Sequence, residues 1–310
     1  MDRSLWIVDP SKELVAGPGF DLAQWPTDAR PGFAGSRKSG KRALRAASAM
    51  LAEQQERFYA AGVDADLVAK EGGEAHGSLS PTPDTAVARP SVLLVLQGMD
   101  TAGKGGTVKH VVGAVDPQGV EYAAFKKPTE EELQHDFLWR IRKHLPGPGV
   151  LSVFDRSHYE DVLIGRVRHL APPEEIERRY CAINDFEREL VDSGTRVLKV
   201  MLHVGYDEQG KRLMHRLDRP DKYWKFNPDD VSERGLWNEY QQAYRVALQS
   251  TSTDYAPWYV VPADHKWYAR LAVQQLLIEV LEDFDLGWPP ARFDIEEQKL
   301  RLRKISRTPR

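Results

Sequence analysis

Residues 91–107 read SVLLVLQGMDTAGKGGT. The run Ser91–Leu96 is apolar, rich in branched side chains and too short for a buried helix, as expected of a parallel strand covered on both faces. It leads directly into Gly98, Gly103 and Lys104, spaced as G-x-x-x-x-G-K, and then into a predicted helix through Val115. In that position the glycines let successive backbone N–H groups converge on phosphate oxygens. The helix N-terminus adds a partial positive charge, and Lys104 supplies a mobile full one. The alternative is a glycine-rich turn that binds nothing; strand, spacing and lysine together argue for phosphate.

Two departures from the usual loop carry more information than the match. Position 105 is Gly, where such loops usually place the Ser or Thr that holds Mg²⁺, and Thr107 lies too far along to be assumed equivalent. Asp100 stands inside the loop, where a carboxylate would repel phosphates unless a cation lay between them. Asp100 is therefore expected to bind metal, or to orient the attacking phosphate through it; capping the following turn is the alternative.

Outward from the loop, strands and helices alternate. Strands are predicted at Tyr122–Phe125, Val150–Phe154, Arg196–Val204 and Trp258–Val261. Helices are predicted at Thr129–His144, opened by a Thr129-x-x-Glu132 capping box, and at about 157–170 and 173–192. This alternation implies an α/β fold: a mainly parallel sheet with helices on both faces. Residues 1–38 form an irregular arm with scattered aromatics (Trp6, Phe20, Trp25, Phe33). A helix at 39–61 carries an apolar stripe of Leu44, Ala47, Leu51 and Phe58, and 62–90 reads as a flexible connector. The catalytic domain is expected at 91–293, with a basic helical insertion at about 206–235 and a charged helix and tail at 294–310.

The strand Val150–Phe154 ends in Asp155-Arg156-Ser157-His158-Tyr159-Glu160-Asp161. An acid at the carboxyl end of a buried strand, downstream of a phosphate loop, is placed like the metal-orienting carboxylate of P-loop enzymes, and Arg156 can fork onto the same phosphates. Ser157-x-x-Glu160 is itself a capping box, so Glu160 either starts the helix or meets the ligand. Asp161 can project back as a second metal carboxylate. His110, His135, His158 and His265 lack metal-ligand spacing and read as structural; Trp258, Trp267 and Tyr268 read as core.

GMDTAGKGGT, DRSHYEDVL, RLDRPDKYWKF and APWYVVPADHKWYARL, in that order, closely resemble polyphosphate kinase family 2 over roughly residues 20–285. The resemblance implies a P-loop kinase-like core, its parallel sheet covered by helices on both faces, with a helical lid, and reversible, Mg²⁺- or Mn²⁺-dependent transfer between inorganic polyphosphate and a nucleotide. It implies catalytic roles for Asp100, Lys104, Arg156 and Asp161, metal contacts from Asp100, Asp155 and Asp161, and a homo-oligomer (dimer or tetramer). Family members carry Asp or Asn at the place of Asp155. The His-Tyr-Glu-Asp run resembles the branch that accepts AMP as well as ADP. Gly98, Gly103, Gly105, Tyr159 and Glu160 are then expected at the nucleotide.

A polyphosphate has no ring or edge to read, so its site should be a lane of cationic and hydroxyl donors: Lys104, Thr107, Lys109, Lys126, Lys127, Arg166 and Arg168. The insertion adds a basic face (Lys211, Arg212, His215, Arg216, Arg219), with Arg212 and Arg216 the expected lid residues closing over the phosphates and excluding water. An ATP-dependent nucleoside or nucleotide kinase is the main alternative, and a nucleotide-dependent switch ranks below it because no N-K-x-D motif is present.

The formal net charge is −3, from 43 basic and 46 acidic residues. No global field therefore recruits a polyanion; the cations must be gathered locally, and nucleic acid is not expected. Cys181 is the only cysteine, which excludes an intrachain disulfide framework. The start, MDRSLWIVDPSKEL, has no continuous apolar core of a secretory signal, and no apolar run reaches membrane-spanning length. The expectation is a cytoplasmic protein.

Overall fold

The computed structural model describes residues 5–71 and 90–306. Five parallel strands form one sheet in the order β2-β3-β1-β4-β5: β1 Ser91–Gln97, β2 Val120–Ala124, β3 Leu151–Asp155, β4 Thr195–His203 and β5 Trp258–Pro262. β1 lies at the centre and every one of its residues is buried, as its unbroken apolar run requires. β2 is an edge strand, half exposed, which accounts for its weaker pattern. The register pairs Leu96 with Asp155 and Gln97 with Met201, so the phosphate loop and the strand-end acid share one rim.

The helices are α1 Pro10–Glu13, α2 Arg37–Glu71, α3 Lys104–His110, α4 Trp139–Arg142, α5 Glu160–Val167, α6 Pro173–Asp192, α7 Tyr206–Leu217, α8 Asp229–Gly235, α9 Trp237–Thr251, α10 Lys266–Glu282 and α11 Ile295–Ser306. The stripe on α2 meets α10, whose apolar residues are buried nearly all round. Among the described residues no helix is long and apolar enough to cross a membrane.

The arm packs through its aromatics as expected. Trp6 meets Phe33 edge-on at 5.2 Å, and Phe33 meets Trp267 at 5.6 Å. The arm also covers the open edge of β5: Val15 bridges Tyr259, Ala16 N–H donates to the Trp258 carbonyl, and Val260 N–H donates to the Leu14 carbonyl. This leaves less of that strand edge free for pairing.

Two boundaries differ from expectation. α2 runs ten residues past 61, to Glu71, because buried Asp64 accepts from Arg292 (2.7 Å) and holds the extra turns against the C-terminal segment. The rest of the predicted connector, 72–89, lies outside the described residues. The predicted helix Thr129–His144 is instead a 3₁₀ turn, Glu132–Gln134, followed by the short α4. The Thr129–Glu132 capping box forms in both directions (2.8 and 3.2 Å), but His135 turns extended and the Asp136 carboxylate takes the Leu138 N–H at 3.0 Å. A side-chain acceptor here competes with helix continuation.

His203, the last residue of β4, is buried, and burial pushes its imidazole down to about 4 against the pull of the Trp25 backbone and Asp264. The unfolded chain, titrating near 6.5, binds the proton more tightly, so this group removes stability as pH falls from about 6.5 to about 4. Urea unfolding at pH 7 and pH 4 should show about 3 kcal/mol more acid destabilisation for wild type than for His203→Gln. Equal pH dependence in the two proteins would contradict it.

Candidate active site

The phosphate loop adopts the backbone its motif demands. Gly98 and Gly103 have φ of 144° and 126°, and Thr101 is left-handed at 64°, a rare state for a threonine. A Cβ on Gly98 would meet the Leu202 carbonyl at 2.6 Å. Gly98 N–H is already committed to the Tyr244 hydroxyl of α9 (3.1 Å), so it fixes the loop and is not a free nucleotide donor. Gly105 opens to solvent with nothing near its missing side chain.

Lys104 is buried at the start of α3 and donates to the carbonyls of Gly98 (2.5 Å) and Met99 (3.4 Å). Burial, and then Arg156, push its ammonium below the ordinary lysine value, while Asp100, Asp155 and Glu160 pull the other way. The three groups on which the sequence reading rests, Asp100, Lys104 and Asp155, therefore converge. Arg156, at φ 66°, ties the site together: it donates to Asp100 at 2.7 Å and to Glu160 at 3.4 Å. Glu160, foremost, holds its guanidinium above the ordinary value.

Glu160 is not the cap that its spacing allows. The Ser157 hydroxyl accepts from Tyr159 N–H (3.2 Å) and from Gln97 (3.2 Å), while Glu160 turns to Arg156. Burial pushes its carboxyl up, and Arg156 and Lys104 oppose this without reversing it. Asp161 points elsewhere. It sits 3.5 Å from Arg140 and 3.6 Å from Arg179, so its carboxylate is already paired away from Asp100. Tyr159 is fully buried, donating to Glu187 (2.8 Å) and accepting from Lys199 (3.0 Å); it cannot stack on a nucleotide without leaving the core.

The basic insertion also differs from a free-swinging lid. Arg212 is buried and donates to the carbonyls of Thr101 (3.0 Å), Ala102 (3.0 Å), Ala263 (2.6 Å) and Asp264 (2.9 Å) and to Glu208 (2.7 Å). Its fork is saturated, so it clamps the phosphate loop and has no donor left for a phosphate. Gln209 adds a bond to the Asp100 carbonyl (3.2 Å). Arg216 reaches Asp230 (3.2 Å) and the Lys225 carbonyl (3.0 Å); Asp100 and Arg156 both influence the Asp230 carboxyl, which places this pair over the site.

Of the expected phosphate lane, Lys109, Lys126 and Lys127 are exposed, whereas Thr107 is buried. Arg166 is paired with Glu177 (3.2 Å), and Arg168 with Glu233 of α8 (2.6 Å). Tyr244, Gln209 and Asp230 were not singled out from the sequence. Each acts across more than a hundred residues of chain, or on another helix of the insertion, and leaves no local pattern.

Among the described residues no group of three or more His, Cys, Asp or Glu side chains could hold a metal unaided. Asp100 and Asp155 still suit magnesium, a hard ion that is usually held by one or two carboxylates together with the substrate's own phosphates. Asp161 has Arg140 and Arg179 as its partners in the structure.

A buried strand, a positive-φ phosphate loop with its lysine, a second strand-end acid on the same rim and a helical cover define a P-loop phosphotransferase. The comparisons with known proteins narrow the class. The model of the family Polyphosphate kinase 2 (PPK2) matches residues 83–286, and the chain belongs to that family. It is 41% identical over 270 residues to a Meiothermus ruber protein named AMP/ADP-polyphosphate phosphotransferase, covering 87% of this chain and 91% of that one. It is 38% identical over 299 residues to an ADP-polyphosphate phosphotransferase of Rhodopseudomonas palustris, covering 91% and 94%. The crystal structure of polyphosphate kinase 2 from Arthrobacter aurescens TC1 superposes with a TM-score of 0.86 at 49% identity, over 96% of this chain and 98% of that one.

Proposed function

We propose that this chain transfers a phosphoryl group reversibly between inorganic polyphosphate and ADP, and also accepts AMP. The observation that carries this is the convergence of Lys104 with Asp100, Asp155, Arg156 and Glu160 on one rim of the sheet, in a chain of the polyphosphate kinase 2 family. In the forward direction a terminal oxygen of the nucleotide bonds to the end phosphorus of the polymer. The anhydride P–O bond breaks, and the polymer leaves one unit shorter. Lys104 leaves the loop carbonyls and neutralises oxygens of the transferred group, as a loose transition state requires. Arg156 keeps Asp100 and Glu160 aligned, and α7, fastened by Arg212, holds the loop rigid. A divalent ion held by Asp100 and Asp155 would neutralise phosphate charge and bring donor and acceptor together.

The test supplies ADP, polyphosphate and Mg²⁺ with no ATP. ATP should form, stop on chelation and resume when Mg²⁺ is restored, and AMP should give ADP under the same conditions. Product formed only with ATP as donor would overturn the reading in favour of an ordinary nucleotide kinase.

A further inference from the structure

Helix α11, Ile295–Ser306, stands off the body of the protein. Its start is well specified: the Asp294 carboxylate takes the Glu297 N–H at 2.9 Å, and Glu296 pairs with Lys299. Yet from 295 to 305 every side chain is exposed except that of half-buried Gln298. Ile295, Leu302 and Ile305, spaced i, i+7 and i+10 with Gln298 between them, form one stripe, and they are 50%, 66% and 73% exposed. An isolated helix of about twelve residues is marginal in water, and most helices are held in place by packing such a stripe. Among the described residues nothing covers this one.

The patch continues beyond the helix. Phe293 is exposed, and the Arg292–Asp64 bond (2.7 Å) brings the end of α2 beside it, where Val63 and Leu67 are exposed as well. Exposed apolar surface of this continuity marks an interface. The stretch 72–89 offers only Leu79 and Val87 as large apolar side chains, too few to cover it from within the chain. The charges indicate the occupant. The first turn of α11 is acidic (Glu296, Glu297) and its last turn basic (Arg303, Lys304), and Glu297, Arg303 and Lys304 have no ion-pair partner among the described residues. Turned end for end, the helix is its own complement: its acidic turn meets a basic one, and Ile295 meets the far end of the same stripe.

We infer that α11 and the end of α2 form an isologous interface with a second copy of this chain, the two α11 helices packing antiparallel about a two-fold axis. A stable interface takes about 20–30 residues a side, more than α11 alone supplies, so Val63, Leu67 and Phe293 belong to it. Gly62 of α2 packs against Gly149, just before β3 begins, so the surface lies at the rim of the sheet opposite the phosphate loop. Assembly and catalysis are therefore separable.

Sedimentation velocity on the full chain tests this. Wild type should form an assembly whose mass falls by half in Leu302→Asp/Ile305→Asp, with folding checked by circular dichroism; both side chains are exposed in the single chain, so the fold should survive. Glu296→Lys/Glu297→Lys makes both ends of α11 basic, and Arg303→Glu/Lys304→Glu makes both acidic. Each should weaken self-association about tenfold. Mixed in equal amounts, the two charge variants should associate nearly as tightly as wild type, because each end then meets its opposite. A helix merely loosened by charges at the wrong ends would not be rescued by mixing. A monomeric wild type, an unchanged mass in Leu302→Asp/Ile305→Asp, or a charge variant that self-associates at wild-type strength would overturn the interface. So would binding of a monomeric wild type to phosphatidylglycerol vesicles that is lost in Leu302→Asp/Ile305→Asp, which would make the stripe a membrane contact.

Discussion

Lys104→Ala is expected to lower kcat/KM for ATP formation from ADP and polyphosphate by about 10³-fold while leaving the protein folded. Removal of one preorganised donor to a developing anion costs roughly 10²–10³ in rate, and a full ammonium inside a desolvated loop sits at the upper end or beyond. Stability should survive, because Lys104 answers no single carboxylate. It donates to the backbone carbonyls of Gly98 and Met99, while Asp100 keeps Arg156 as its partner. The ammonium is itself disfavoured by burial, so its removal relieves a cost as well as leaving two carbonyls less well bonded. A coupled ATP assay beside a urea titration checks both halves. Activity within a few-fold of wild type would remove Lys104 from the chemistry, and a large loss of stability would make it a folding element of the loop.

Lys199→Met should cost about 3–5 kcal/mol of stability, the penalty for stranding one member of a buried ion pair. Lys199, in the middle of β4, is fully buried, and its ammonium makes three bonds: to Glu187 (2.6 Å), to the Thr251 carbonyl (2.6 Å) and to the Tyr159 hydroxyl (3.0 Å). Glu187 also accepts from Tyr159 (2.8 Å) and lies 3.3 Å from His158. Burial pushes the Glu187 carboxyl up, but Lys199 and His158 outweigh it and hold the group below the ordinary value. In wild type the folded carboxyl therefore binds its proton less tightly than the unfolded one. The stability it contributes is present above the unfolded value of about 4.3 and is lost as pH falls through the folded one. Without Lys199 burial dominates, the sign reverses, and acidification should partly rescue the variant. Lys199→Met combined with Glu187→Met should recover more than half of the loss, since a pair removed together leaves no stranded charge. Urea midpoints across pH 4–8 for Lys199→Met, Glu187→Met and the double variant decide it; an additive double mutant with no pH reversal would refute the coupling. Activity should fall too, because this network seats Tyr159 beside Glu160.

Much of the site was legible because its signals are local. A wholly apolar strand, a glycine spacing and an acid after the next apolar strand need only a few consecutive residues to be read, and the nearness of Asp100, Lys104, Asp155 and Arg156 follows from them. The departures of the structure from the local reading share one cause. Tyr159 and Asp161 stand in the same motif as Arg156 and Glu160, but helix α5 turns one into the core and the other toward Arg140 and Arg179. Arg212 belongs to an evident basic face, yet its acceptors lie on the phosphate loop and after β5. The Thr129–Glu132 box marks a real helical turn, and a neighbouring Asp136 carboxylate decides that the turn goes no further.

By itself the sequence determined the parallel sheet, the phosphate loop at the end of its central strand and the acid on the adjacent strand. Burial periodicity and motif spacing act over one element and its neighbour, and the chain order carries them. The tertiary structure alone decided which charges are spent and which are not: Arg212, Arg166 and Arg168 are committed, while Arg270 and Lys266 have no ion-pair partner among the described residues. A charged side chain's partner is set by where distant elements cross, and its electrostatic worth by the water removed there.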